Sequence, residues 1–231
     1  MGAGRWNLTI DPPDQGEPVV HLMLLSPGLN TITIPAGALR GLPFVDARST
    51  ASSVSFRLEE DAGTLYFDGQ IDGKVGRGTF TFSPNARFAA ELVRRGMQKP
   101  GASELFNLAR HQVGLSVLDE LEANGYETPS TVSFVNSGFH SIDTKYIRQM
   151  AELGYRLGTL DSLIMLRSRG VTPKYIRALA RLGYTDLSTN KLMAMASQGV
   201  DERFIKSMNL RTARRLSPAE LVLIRIRGSR T

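Results

Sequence analysis

The chain contains no cysteine and only three histidines among its 231 residues. Without cysteine there are no disulfides, no thiolate nucleophile and no cysteine-ligated zinc, and the redox compartment is left open. The histidines, His21, His111 and His140, have no neighbouring glutamate, so the paired-histidine signature of a zinc peptidase is missing. Apolar runs are short. Leu22 to Leu25 falls far below the ~20 residues a membrane-spanning helix needs. The start, Met1-Gly-Ala-Gly-Arg-Trp6, lacks the basic-then-apolar layout of a signal peptide and, with Trp at position 6, the myristoylation pattern. These features fit a cytoplasmic protein if the chain is complete as given, or a piece of a longer one.

An apolar content of 42% with 22% charged residues is that of a chain able to bury a core. The net charge of +6 is unevenly spread. Residues 1–100 carry 10 basic and 10 acidic groups, residues 101–144 carry 1 and 6, and residues 145–231 carry 17 and 6. The last stretch therefore has 17 − 6 = +11. Such a half invites an anionic partner: nucleic acid, lipid headgroups or an acidic protein. The plainer account is a solvated helical surface.

Before residue 84 apolar residues alternate with polar ones, as in Trp6-Asn-Leu-Thr-Ile10, Ile32-Thr-Ile34, Val54-Ser-Phe56-Arg-Leu58 and Phe80-Thr-Phe82. Period two predicts strands with one buried face. Turn chemistry separates them at Asp11-Pro-Pro, Ser26-Pro-Gly28, Asp61-Ala-Gly63 and Asp72-Gly73. Six or seven mostly antiparallel strands are expected, forming a small sandwich or partly closed barrel, with a helical turn near Ala36–Leu42. The glycines at 63, 69, 73, 76 and 78 read as hairpin and bulge glycines, since strand rather than helix follows them. Ser83-Pro84 is expected to open a helix that Gly96 ends, and Lys99-Pro-Gly101 marks a boundary.

From residue 105 onward the chain repeats every 29 residues. Leu105, Phe134, Leu163, Leu192 and Leu221 fall on one position, and Leu118, Ile147, Ile176 and Ile205 on another. Gly125, Gly154 and Gly183 are each followed by tyrosine. A period of this length is the signature of a solenoid, in which stacked units supply one another's core. Each unit reads as two short helices. Ser130, Thr159, Ser188 and Ser217 are placed to cap first helices, and Asp143, Thr172 and Asp201 to cap second ones. The fold class is therefore α+β: an N-terminal antiparallel β-rich domain (residues 1–84), a connecting helix and linker (85–101), and a helical repeat domain (102–231) forming an α-solenoid. Leu163, Ile176 and Leu179 are expected to be buried.

Gly170-Val-Thr-Pro-Lys-Tyr-Ile-Arg-Ala-Leu-Ala-Arg-Leu-Gly-Tyr184 resembles a repeat in the C-terminal extracytoplasmic extensions of bacterial membrane-bound antirepressor metallopeptidases, the class that includes beta-lactam sensors, and of related uncharacterised proteins. The β half resembles the domain that often precedes those repeats, through Val54-Ser-Phe56, Asp61-Ala-Gly63-Thr-Leu65, Phe67-Asp-Gly69 and Gly76-Arg-Gly78-Thr-Phe-Thr-Phe82-Ser-Pro-Asn85. The resemblance implies an extracytoplasmic interaction or sensing appendage. It carries over no peptidase activity, because the zinc-binding module is absent from the chain.

No acid, base, nucleophile or metal set emerges, so the chain reads as a non-enzyme with no cofactor. His111 and His140 share a repeat position that continues as Arg169, Gln198 and Arg227, too few ligands for zinc. Tyr126, Tyr155 and Tyr184, and the column Tyr146, Tyr175 and Phe204, read as packing between repeats rather than as base-stacking platforms. Glu59-Glu60 reads as a solvated pair. The chemistry-bearing pattern is basic. Lys145, Lys174 and Arg203 share one repeat position, and Arg148, Arg177 and Lys206 share another three residues on. Positions three apart lie on one helix face, so stacking turns the six into a two-column ladder that Arg181, Arg211, Arg214 and Arg215 extend. The expected role is a non-catalytic protein-interaction or sensing module. The alternative is a nucleic-acid-binding protein that sets this ladder on phosphates.

Overall fold

A computed structural model of the chain describes residues 3–12, 16–25, 29–43 and 51–228. The turn expected at Ser26-Pro-Gly28 and the second proline of Asp11-Pro-Pro lie outside them. An N-terminal β region is followed by helices, so the fold is α+β.

Among the described residues seven strands form one antiparallel sheet. They are β1 (Ala3–Asp11), β2 (Val19–Leu25), β3 (Leu29–Pro35), β4 (Leu39–Arg40), β5 (Ser52–Glu60), β6 (Gly63–Asp72) and β7 (Val75–Pro84), in the spatial order β3-β2-β1-β7-β6-β5-β4. The expected helical turn is a single 3₁₀ turn, Ala36–Ala38. The alternating residues face one way: Trp6, Leu8, Leu22, Ile32, Phe56, Leu65, Phe67 and Phe80 are all buried.

The sheet curls around Trp6. In a flat sheet β1 and β5 would stand about 14 Å apart, three strand spacings. Yet the rings of Trp6 and Phe56 have centroids 5.2 Å apart. Register explains how: Trp6 lies opposite Gly78, and Gly78 opposite Gly69, so the row from β1 to β6 has no side chain beyond the indole. The indole lies over both glycines, and its N–H donates to the carbonyls of Thr79 (3.0 Å) and Asp68 (3.3 Å). Gly69, Gly76 and Gly78 are thus regularly paired mid-strand residues rather than bulges. Gly73 does serve a hairpin, at φ +54° between Asp72 and its partner Val75. Phe56 stacks on Phe67 at 4.8 Å, and Phe67 meets Phe80 at 6.1 Å.

Ten helices follow. They are α1 (Ala86–Arg94), α2 (Ala102–Arg110), α3 (Leu115–Ala123), α4 (Thr131–Phe139), α5 (Thr144–Glu152), α6 (Leu160–Ser168), α7 (Pro173–Arg181), α8 (Thr189–Ser197), α9 (Glu202–Thr212) and α10 (Pro218–Gly228). Ser83-Pro84 does not open the first of them. Pro84 ends β7 against Gly63, and Asn85 is the cap, its side-chain oxygen accepting from the N–H groups of Arg87 and Phe88. Ser130, Asp143, Thr159, Thr172, Asp201 and Ser217 each accept a backbone N–H of the first turn. Ser188 holds the cap position of α8 without a side-chain bond.

Packing divides the chain into two compact units, whereas the sequence boundaries mark where the hydrophobic period changes. One unit runs to Leu118 and includes Thr128–Ser141; the other comprises Asp119–Glu127 and everything from Ile142 onward. In the first, Phe106 of α2 stacks on Phe80 at 5.9 Å and meets Phe82 edge-on at 5.4 Å, so α2 continues the aromatic chain of the sheet. The first turn of α3, where Gly114 and Leu115 replace a capping side chain, is capped from the β5–β6 hairpin instead. The Asp61 carboxylate accepts the Leu115 N–H at 2.8 Å. A Cβ on Gly114 would stand 3.0 Å from the Asp61 carboxyl carbon, so the approach requires glycine. Glu60 is half-buried rather than solvated: its carboxylate accepts from Gln112 at 3.0 Å, and desolvation raises its pKa. In the second unit α5 packs against α7, α6 against α8, and α8 against α10. Leu163, Leu179 and Ile176 are 0%, 1% and 7% exposed.

Two stability measurements check this account. A methyl on Gly78 would meet Gly69 Cα at 2.7 Å and the indole nitrogen at 2.8 Å. Gly78→Ala is expected to cost about 1–3 kcal/mol, the range of overpacked cores. Leu163→Ala is expected to cost about 2–5 kcal/mol in urea melts. An unchanged midpoint in either variant contradicts the packing described.

Candidate functional site

Lys145, Lys174 and Arg203 occupy the second position of α5, α7 and α9, and Arg148, Arg177 and Lys206 lie one turn further on. All six are on the surface of the second unit, Arg177 the least exposed. The three helices are successive: α5 packs on α7, and Arg181 of α7 reaches Glu202 of α9 at 3.4 Å.

The two columns differ in what their charges meet. In the later column every cation has a carboxylate. Arg148 binds Glu120 at 2.5 Å, Lys206 binds Glu202 at 2.8 Å, and Arg177 stands 4.0 Å from Glu152. The Glu120 side chain is only 14% exposed, and its hydrogen bond from Arg148 lowers its pKa. Glu202 is lowered likewise by Lys206 and then Arg181. Arg148–Glu120 and Arg177–Glu152 join one helix to another, as does Arg181–Glu202 beside them, whereas Lys206–Glu202 lies within α9. Among the described residues, the side chains of Lys145, Lys174 and Arg203 have no hydrogen bond or ion pair. Their place is unfavourable for helix stability, since the first turn carries the positive end of the helix dipole.

The arginines proposed to extend the ladder are mostly engaged. Arg214 pairs with Glu220 at 2.5 Å. Arg215 donates to the Gly183 carbonyl at 2.9 Å and lies 5.6 Å over the Tyr184 ring. Arg211 has no partner among the described residues and lines a cavity of about 590 Å³ with Phe204, Met208, Ile224 and Arg225.

The tyrosines join consecutive helical pairs through their hydroxyls. Tyr126, Tyr155 and Tyr184 donate to the carbonyls of Tyr155 (3.4 Å), Leu187 (2.9 Å) and Leu216 (2.6 Å). Tyr146 and Tyr175 donate to Val171 (3.1 Å) and Val200 (2.9 Å). Burial pushes the Tyr146 hydroxyl up to about 12 and raises that of Tyr175. The Tyr146 ring is further covered by Arg167 at 5.1 Å and the Phe204 ring by Arg225 at 4.9 Å. These rings are committed to packing.

The histidines have separate settings. His140 ends α4. His111 ends α2, with its ring 4.4 Å from that of Phe139 and a buried Nε2 without a hydrogen-bond partner. Sequence reasoning gave His21 no partner, yet strand register supplies two. Asp11 Oδ2 lies 3.0 Å from Nε2 and Thr33 Oγ1 lies 3.0 Å from Nδ1. This carboxylate–imidazole–hydroxyl chain is exposed on the outer face of β1, β2 and β3, with His21 and Asp11 at 37% and 66%. It ties three strands together at an exposed surface. Among the described residues no three His, Asp or Glu side chains are grouped to hold a metal ion, and no helix is long and apolar enough to cross a membrane. No protein-family model matches the chain, and no curated protein or solved structure shows significant similarity to it.

His111 yields a pH prediction. Burial first, and the Arg110 charge second, lower its pKa from 6.5 to about 4. The unfolded chain therefore binds more protons between those values, so the stability present above pH 6.5 is lost as pH falls toward 4. The urea midpoint is expected to fall more steeply over that window in the parent than in His111→Gln. Parallel profiles would exclude His111 as a source of acid sensitivity.

Proposed function

We propose that the chain is a non-catalytic binding module. Its helical part, residues 102–231, is an α-solenoid of 29-residue two-helix repeats, and the face built by α5, α7 and α9 receives an acidic protein partner. The β domain, residues 1–84, and the linking segment 85–101 complete the scheme. The single observation that carries the function is the split among six cations: three serve intramolecular ion pairs and three, at one repeat position, have no side-chain partner among the described residues. Repeat architectures present extended surfaces to partners, and the recurring caps and tyrosine joints support that architecture here. The resemblance to sensor appendages adds a sensing role outside the cytoplasm. Binding to nucleic acid is the second reading, favoured by the same unpaired cations. It ranks lower because the aromatic rings that would stack on bases are committed to packing.

The test compares two triple variants. Lys145→Gln/Lys174→Gln/Arg203→Gln is expected to abolish binding to polyglutamate while leaving the melting temperature unchanged. Arg148→Gln/Arg177→Gln/Lys206→Gln is expected to lower the melting temperature. Unchanged polyglutamate binding in the first variant overturns the proposal. Tight, sequence-discriminating DNA binding that survives ~0.2 M salt, against the steep salt dependence of simple phosphate contacts, establishes the second reading.

A further inference from the structure

On the 29-residue repeat proposed above, and independently of the unpaired cations, we infer that the cavity between α9 and α10 receives an acidic amphipathic helix from a partner protein. The pair α9–α10 repeats the pair α5–α6. Arg225 covers the Phe204 ring at 4.9 Å as Arg167 covers that of Tyr146 at 5.1 Å, at the same sequence separation. α5–α6 is followed by α7, which packs on α5. There Met150 of α5 and Leu166 of α6 are 0% and 2% exposed, and their counterparts in α7 and α8, Leu179 and Met195, are 1% and 0%. At the same positions in α9 and α10, Met208 and Ile224 are only half-buried, and with Phe204 they line the cavity of about 590 Å³. The earlier counterpart of this opening is thus a core that a further helix follows. α7 itself buries Ile176 and Leu179, so a covering helix brings apolar residues three apart on one face.

Two substitutions in the repeat decide the character of that helix. Phe204 lacks the hydroxyl through which Tyr146 and Tyr175 bond the carbonyls of Val171 and Val200, so the joint that links earlier units is not made from this position. Arg211 stands where α5 and α7 are followed by Leu153 and Leu182. With Arg225 it places two guanidinium groups in the lining, and among the described residues that lining holds no carboxylate. Arg225 donates to the Gln198 carbonyl at 3.3 Å, and neither arginine has an ion pair among the described residues. A second copy of this chain, offering a helix such as α7 with its Lys174, Arg177 and Arg181, would set cation against cation. A helix bearing glutamates beside its apolar pair meets both arginines while its apolar face fills the groove.

The experiment uses labelled alanine-rich peptides of about 16 residues, long enough to hold some helix, and reads fluorescence anisotropy with the full chain at low salt. One peptide carries an Ile-x-x-Leu face flanked by glutamates, a second scrambles that face, and a third has lysine for each glutamate. The first is expected to bind at least ~10-fold more tightly than the other two, a difference of about 1.4 kcal/mol. Arg211→Gln, at an exposed position, is expected to weaken that binding at an unchanged melting temperature, and Met208→Ser to remove the preference over the scrambled peptide. Equal affinity for the scrambled peptide reduces the attraction to charge and overturns the groove. Equal affinity for the lysine peptide overturns the acidic partner. Affinity lost in Lys145→Gln/Lys174→Gln/Arg203→Gln but kept in Arg211→Gln overturns this site and leaves the function proposed above standing. Dodecanoate that binds through Arg211 more tightly than the best peptide replaces the helix with a small anionic amphiphile.

Discussion

The indole of Trp6 and the paired glycines beneath it are the constraint on which the β region depends. A large ring can lie over two neighbouring strands only where both lack side chains, and Gly78 opposite Gly69 provides that floor. Once seated, the indole N–H has no water to reach, and the carbonyls of Asp68 and Thr79 satisfy it. Its outer edge then meets Phe56 and Phe67, a contact possible only if the sheet bends. Phe80 and Phe106 extend the same aromatic series to α2. The bend, the closed core and the first helical contacts within that unit thus have one origin.

The helices solve a different problem. Most of them are nine residues long, too short to persist alone in water. Most gain a capped start, and most end in a left-handed residue that lets the following N–H reach back a full turn, as Tyr155 does to Met150 and Tyr184 to Leu179. In the second unit, the tyrosine hydroxyls and the ion pairs of Arg148, Arg177 and Arg181 then link one helical pair to the next. Charge on this surface is therefore partly structural, and a count of basic residues alone overstates the charge offered to a partner.

Much of this was legible from spacing. Period-two runs marked the core faces of the strands, and the 29-residue recurrence placed six caps that form side-chain bonds. What escaped has identifiable causes. Gln112 and Ser141 adopt positive φ at the repeat position where Gly170 and Gly199 stand. Packing imposes there a conformation that residue type does not announce. Asp61 caps α3 across 54 residues of chain, a pairing beyond the reach of local pattern. Ser83-Pro84 looks like a helix start because serine and proline suit one. The ladder partner Gly63 instead keeps Pro84 in β7, and Asn85 takes the capping role. The division of the ladder into paired and unpaired columns depends on Glu120, Glu152 and Glu202, which share no common offset from their cations.

That irregular offset bears on function. Had the repeats carried their own counter-charges at fixed spacing, both columns would have been neutralised together. Instead, acids occur where neighbouring helices are joined, and among the described residues the cation at the second position of α5, α7 and α9 has no carboxylate partner. Placing positive charge there opposes the helix dipole, so stability alone would disfavour it at each of the three helices. The same unfavourable choice on α5, α7 and α9, beside a column whose cations each meet a carboxylate, is what the binding role proposed above would account for.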